Sequence, residues 1–128
     1  MNRQYFIFGG EAGLTGKEHE KPKKYFPKDR DELKHLLDIL IKERGNEADF
    51  NDIDTSKVTD MSRLFENQTE FNGDISLWDT SNVTDMNCMF KGASSFNQDL
   101  SDWETELANT SKMFQGATKM RDHLPEWY

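Results

Sequence analysis

Acidic side chains recur at a regular spacing in the second half of the chain, and carboxylate oxygens in such a pattern could bind calcium. The candidates are Asp74, Asp79, Asp85 and Asp99. Carboxylates stacked about 5 Å apart repel each other by roughly 1 kcal/mol in water, so they must either accept hydrogen bonds from backbone amides or surround a cation. Because no stretch matches the calcium loop D-x-[DN]-x-[DN]-G-x5-E, we expect backbone caps and no metal, with calcium as the alternative.

Other residue types that carry chemistry are present, but not in catalytic combinations. The histidines at 19, 35 and 123 lack the paired spacing of a metal site, and no G-x-S-x-G stretch occurs. Residues 9–18 (GGEAGLTGKE) resemble a phosphate-binding loop, but Glu11 stands at its first glycine and Glu18 at its Ser/Thr position. A turn is the better interpretation, with a nucleotide-dependent enzyme as the alternative. The sequence therefore predicts no enzyme and no cofactor.

The acidic columns belong to a longer repeat in which apolar residues recur 25 positions apart. Phe71 and Phe96 stand at this offset, as do Trp78 and Trp103. A constant offset in apolar positions is typical of stacked repeats, in which each unit covers its neighbour. The repeat that starts at Phe71 is complete, and the predicted core of the array is Phe71, Ile75, Trp78, Val83, Met86, Met89, Phe90, Phe96, Leu100 and Trp103.

The other two repeats are interpreted as incomplete. The first begins at Phe50, which we align with Phe71, so that it lacks four residues including the tryptophan. The third lacks one residue near Glu106, which puts Leu107 in the place of Val83. An amide follows each leading phenylalanine, and we expect these amides to form a hydrogen-bonded ladder between turns: Asn51, Asn72 and Asn97.

The only cysteine, Cys88, excludes an internal disulfide and a cysteine-based zinc site. Its counterparts in the neighbouring repeats are Arg63 and Lys112. We therefore expect a free thiol on a solvated face.

Outside the repeats, one helix is predicted over 29–44. Asp29 can cap it, Glu32 completes a capping-box spacing, and its leucines recur on one face. Residues 3–8 read as a short strand, and 17–28 as a charged linker. The predicted organisation is an N-terminal strand and linker (1–28), a capping helix and entry (29–49) and a repeat region with a C-terminal cap (50–128). The predicted fold class is α/β, a short leucine-rich-repeat-like solenoid of about three 25-residue repeats with an N-terminal capping helix.

The stretch W-D-T-S-N-V-T-D-M-x-x-M-F at 78–90 resembles the BspA-like leucine-rich-repeat family of bacterial surface proteins, also known from mycoplasma lipoproteins. The resemblance covers roughly 25–128. It implies an α/β solenoid, no catalytic residues, and binding of proteins, often at cell or host surfaces.

The net charge of -8 lies entirely in the repeat region, where 50–128 carry fourteen acidic and six basic residues. Such a surface disfavours nucleic acid and suits a basic protein partner, whose identity the sequence does not specify. We therefore expect a non-enzymatic protein-interaction module. The alternative is a small inhibitor, immunity or antitoxin-like protein that masks a basic active site. Open solenoid ends could also support oligomerisation.

The expected location is cytoplasmic, because no secretory signal is visible and no stretch could span a bilayer. The family resemblance favours the cell surface as the alternative.

Overall fold

The computed structural model describes residues 22–128, and the α-helix in this part of the chain is α1, Arg30–Arg44. The Asp29 carboxylate caps it by accepting a hydrogen bond from the Glu32 N–H at 2.9 Å. Leu33, Leu37 and Leu40 lie on its buried face. The predicted helix and its cap are therefore present, whereas the predicted strand at 3–8 and the loop at 9–18 lie outside the described residues.

The remainder of the described chain is built from turns rather than strands. Besides α1 it contains a single turn of 3-10 helix, Thr118–Met120, and backbone pairing is limited to isolated parallel bridges between single residues. No sheet forms within residues 22–128. The predicted α/β class and leucine-rich-repeat-like solenoid are therefore wrong, because that architecture requires a strand in every repeat.

Local hydrogen bonds explain why neither strands nor short helices form. The spacing of Val83, Met86 and Met89 fits a helix, yet the Val83 and Met89 amides close separate turns on the carbonyls three residues earlier. A neighbouring side chain takes another amide, since Asp85 accepts from the Asn87 N–H at 2.8 Å. Such side-chain acceptors compete with the regular backbone ladders of helices and sheets. The backbone then bends every few residues and pairs with its neighbour through single hydrogen bonds at alternate residues.

Chain segments about one repeat apart nevertheless lie side by side in parallel. We call 46–70 the first segment, 71–95 the second and 96–119 the third. Asp60 bridges to Asp85, and Asp85 bridges to Asn109. Alternate amides of the first segment donate to carbonyls of the second, and the second donates to the third in the same way. Four of these donors stand at alternate residues of the first segment: Met61, Arg63, Phe65 and Asn67.

The pairing corrects the alignment of the first repeat. Asp49 bridges to Asp74, and the Phe50 N–H donates to the Asp74 carbonyl, so Phe50 is the counterpart of Ile75 rather than of Phe71. Ile53 then stands in the place of Trp78. The first segment keeps the full offset, and the predicted deletion of four residues does not exist. The prediction aligned Phe50 with Phe71 because no tryptophan marks the register of the first segment. The position that corresponds to Trp78 holds Ile53.

The third segment is also displaced from its predicted register. The Val83 N–H donates to Thr80, and the equivalent bond to Thr105 comes from Ala108, so Ala108 occupies the place of Val83. Leu107 is 68% exposed. Because Asp85 pairs with Asn109, the missing residue is the counterpart of Thr84.

Stacked aromatic rings form the centre of the core. Phe65, Phe90 and Phe114 lie in nearly parallel succession, with centroid separations of 5.4 and 5.5 Å. Phe71 stacks on Phe65 at 4.1 Å and Phe96 on Phe90 at 4.2 Å, so two columns of rings pack against each other. All ten residues of the predicted core are buried.

Gly73 gives this packing a sharp test. A Cβ atom at this position would lie 2.5 Å from the Phe50 ring and 2.8 Å from the Phe71 ring. We predict that Gly73→Ala lowers the free energy of unfolding by about 1–3 kcal/mol, because both rings are fully buried and cannot move aside.

Urea denaturation of a double-mutant cycle checks the cause. The loss on Gly73→Ala should be smaller when Phe50 is already replaced by leucine, because part of the obstructing ring is then absent. Equal losses in the two backgrounds would contradict the proposed clash.

Candidate functional site

The acidic side chains that recur along the segments stabilise turns of the backbone. Asp54, Asp79 and Asp99 each accept a hydrogen bond from the N–H two residues later, at 2.9, 3.0 and 3.0 Å. The same bond is made by Asp49, Asp60, Asp74, Asp85 and Asn109. These are the Asx turns that short polar side chains form with their own backbone. The recurring D-x-S and D-x-N spacing in the sequence is therefore a turn signal.

Hydrogen bonding also shifts the pKa of two carboxyl groups in these columns. The Ser56 hydroxyl and N–H lower the pKa of the Asp54 carboxyl, and those of Ser101 lower the pKa of Asp99. Both groups are held as carboxylates at neutral pH.

The four predicted calcium ligands, Asp74, Asp79, Asp85 and Asp99, all take part in these turns. Within residues 22–128 no group of three or more histidine, cysteine or acidic side chains is arranged to hold a metal ion. The described geometry thus assigns the columns a role in shaping the backbone.

The three asparagines predicted to form one ladder lie at two different positions of the repeat. The Asn72 side chain accepts from the Asn97 N–H at 2.8 Å and from the Gln98 amide at 3.0 Å. Asn51 instead accepts from the Leu77 N–H at 2.9 Å. Asn51 does not join the other two, because the corrected register moves it away from the position of Asn72.

Cys88 is buried, with 2% of its surface exposed, which corrects the expectation of a solvated thiol. Its register partners are the expected ones, since Arg63, Cys88 and Lys112 share a left-handed backbone with φ of 58°, 58° and 56°. Equivalent backbone positions differ in burial here because Arg63 and Lys112 are long side chains that reach water from the same place.

A column of indole N–H groups runs through the segments. Trp78 donates to the Phe50 carbonyl at 3.0 Å, and Trp103 donates to the Ile75 carbonyl at 3.2 Å. Trp127 continues the series at 2.9 Å to Leu100. Trp127 lies in the predicted C-terminal cap, and its separation of 24 residues from Trp103 in the sequence was a usable signal for its place in this series.

Arg44 joins the end of α1 to the first segment. Its guanidinium makes two hydrogen bonds to the Asp52 carboxylate, at 3.0 and 2.9 Å, and a third to the Asp49 carbonyl at 3.0 Å. It also lies 5.9 Å from the centroid of the Tyr25 ring and 5.8 Å from that of Phe50. The hydrogen bonds from Arg44 lower the pKa of Asp52. This pair fastens the helix in place and shows no feature of catalysis.

Open grooves rather than deep cavities mark the described surface. One of about 740 Å³ crosses all three segments and has both acidic and basic walls, including Glu47, Glu70 and Lys119. A second, of about 410 Å³, lies at the C-terminal end beside Phe114, Leu124 and Tyr128.

The third segment carries four exposed carboxylates and the second segment carries none. Asp99, Asp102, Glu104 and Glu106 are all exposed, and we call them the acidic face. None of the four has an ion-pair partner among residues 22–128. The acidic face therefore carries negative charge that no cation within residues 22–128 pairs with at ion-pair distance.

Comparison with known protein families shows to which family the chain belongs. The profile of the family described as "Mycoplasma protein of unknown function, DUF285" matches residues 36–128. The chain belongs to this family. No curated protein and no solved structure matches it. The family affiliation supports the mycoplasma connection drawn from the sequence and carries no functional description. No helix among the described residues has the length and apolarity needed to cross a membrane.

The Arg44–Asp52 pair leads to a pH-dependent prediction. We expect Asp52→Asn to lower the free energy of unfolding by about 1–3 kcal/mol at pH 7, because the guanidinium loses a charged, bidentate partner. The folded-state pKa of Asp52 is depressed. Its stabilisation is therefore present above the unfolded-state pKa of about 3.9 and is lost as the pH falls through the folded value.

Urea titrations at pH 7 and at pH 3 check the prediction, since the difference between wild type and Asp52→Asn should narrow at the lower pH. Asp38→Asn is the matched control, because Asp38 pairs with Lys34 on the exposed side of α1. Its loss should stay below about 0.5 kcal/mol. A control loss as large as that of Asp52→Asn would refute the assignment.

The indole column leads to a second prediction. Trp78→Phe should cost about 1–3 kcal/mol, because it removes a buried hydrogen bond and leaves space that a smaller ring does not fill. Trp127→Phe should cost less, because Trp127 is only half-buried. Chemical denaturation of both variants provides the measurement, and an equal or larger loss at Trp127 would disprove the proposed gradient along the column.

Proposed function

We propose that the chain is a non-enzymatic protein-interaction module and that its acidic face binds a basic region of a partner protein. The acidic face supports this proposal through its exposure and its lack of compensating cations in the described chain. Uncompensated charge of one sign accelerates encounter with an oppositely charged surface and selects against like-charged partners.

Binding is favoured over catalysis by the way the polar groups are used. The half-buried carboxylates of the columns are engaged by backbone amides, and Asp52 is engaged by Arg44. An enzyme requires a reactive group held free beside an enclosed substrate site, whereas the described grooves lie open to solvent.

We also propose kinship with the BspA-like surface proteins on the basis of residues 78–90, without the fold that this resemblance implied. Such kinship favours a partner located at a cell or host surface.

The test compares two triple variants that change the net charge by the same amount. Asp102→Lys/Glu104→Lys/Glu106→Lys reverses three of the four charges of the acidic face and leaves Asp99, which accepts from the Ser101 N–H. Asp31→Lys/Glu43→Lys/Glu47→Lys reverses three exposed carboxylates of α1 and the residues that follow it. Proteins captured from a cell lysate on the wild-type chain are ranked by their loss on each variant, and the highest-ranking protein is then purified and titrated.

We expect the acidic-face variant to bind that protein at least tenfold more weakly, which corresponds to about 1.4 kcal/mol, and the control variant to bind within twofold of wild type. Binding to wild type should also weaken with added salt. Equal losses of affinity in the two variants would mean that the change in net charge alone weakens binding. That result would overturn the proposal. A captured enzyme whose activity is suppressed would identify the interaction as inhibition.

A further inference from the structure

The last segment carries a row of backbone N–H groups that have no acceptor among residues 22–128. In the first segment the amides of Met61, Arg63, Phe65 and Asn67 all donate to carbonyls of the second segment. In the second segment the amides of Met86, Cys88, Phe90 and Gly92 donate to the third. The corresponding third-segment amides, which we call the donor row, have no acceptor within the described chain: Thr110, Lys112, Phe114 and Gly116.

The donor row keeps the backbone shape of the interior rows. Lys112 has φ 56°, compared with 58° at Cys88, and Gly116 has φ 79°, compared with 76° at Gly92. The Phe114 ring lies within 1° of the plane of the Phe90 ring. Since the donor row keeps the backbone shape of rows that do pair with a following segment, it has the geometry to accept one.

An apolar groove lies next to the donor row. Phe114, Leu124 and Tyr128 line the groove of about 410 Å³, and Leu124 and Tyr128 are 42% and 47% exposed. An occupant that offers carbonyls to the donor row would therefore also find apolar surface for its side chains.

The hydrogen-bonding chemistry restricts what can occupy the site. A second copy cannot pair its own donor row with this one, because both rows consist of donors. The opposite end of its segments offers no uninterrupted row of carbonyls, because the Ser62 carbonyl already accepts from Arg30 Nε of α1. The complementary group is a row of carbonyls at alternate residues, which an extended segment of another polypeptide supplies.

We propose that the donor row and its groove form a docking site for an extended peptide segment of a partner protein, lying parallel to residues 110–116. The carbonyls of the segment accept from the donor row, and its apolar side chains cover Phe114, Leu124 and Tyr128. This site is separate from the acidic face, because backbone donors and apolar contact define it instead of charge.

Amide hydrogen exchange and NMR titration of the full chain test the proposal. In the free chain, the amides of Lys112, Phe114 and Gly116 should exchange at least a hundredfold faster than those of Cys88, Phe90 and Gly92. The probe is a synthetic peptide with the sequence of residues 83–93 and Cys88 replaced by serine, since this stretch supplies the matching carbonyls within the chain. The control probe is a scrambled peptide of the same composition.

The matching peptide should shift and protect the donor-row amides, and the scrambled peptide should not. Leu124→Ser/Tyr128→Ser should weaken peptide binding about tenfold, because part of the apolar contact is removed. Ile39→Ser, which alters a side chain that is 43% exposed on α1, should leave binding within twofold.

Two results would overturn the proposal. The first is a donor row already as protected in the free chain as the interior rows, which would mean that the chain itself or a second copy occupies the site; sedimentation would show which. The second is a titration in which the matching peptide, at millimolar concentration, leaves the donor-row amides unchanged.

Discussion

Stacking of the phenylalanine rings is the constraint on which the rest of the described structure depends. Phe65, Phe90 and Phe114 must meet face to face, so the chain between them has to return to the same point after 24 or 25 residues. The single-residue difference is absorbed opposite Thr84, which is exposed, and not at a core position. The same packing requires glycine at position 73, because the rings of Phe50 and Phe71 fill the space that a Cβ atom would occupy. The core therefore dictates where the chain can vary.

Side-chain oxygens replace the regular backbone ladders in this structure. Asx turns at positions such as Asp60 and Asp85 use backbone amides that a helix or a sheet would otherwise pair. The recurring carboxylates suggest metal binding in the sequence, but in the structure they accept hydrogen bonds from the backbone. Their role in the described chain is therefore to shape turns. On the acidic face, the side chains of Asp102, Glu104 and Glu106 take no part in such turns within the described chain, so their charge can act on a partner.

The two ends of the array are chemically different. At one end α1 covers the core with leucines and is fastened by Arg44 to Asp52. At the other, Trp127 continues the indole column, but none of the residues 22–128 provides acceptors for the donor row, and Leu124 and Tyr128 are partly exposed. The sequence indicated that the array needs covering at its ends. It could not show that one end would be covered by an apolar helix face while the other would present a row of backbone donors.

The amino-acid sequence by itself determined the helix with its Asp29 cap, the apolar set that forms the core, and the interval at which the segments recur. These follow from side-chain chemistry and spacing, which are local properties. Tertiary structure decided the backbone path: turns in place of strands and helices, Phe50 beside Ile75, Ala108 in the place of Val83, and Cys88 in the interior. Spacing shows which residues recur. Which residues of neighbouring segments lie side by side is decided by the hydrogen bonds between the segments. Phe50, for example, fits two registers in the sequence, and its N–H bond to the Asp74 carbonyl selects one of them.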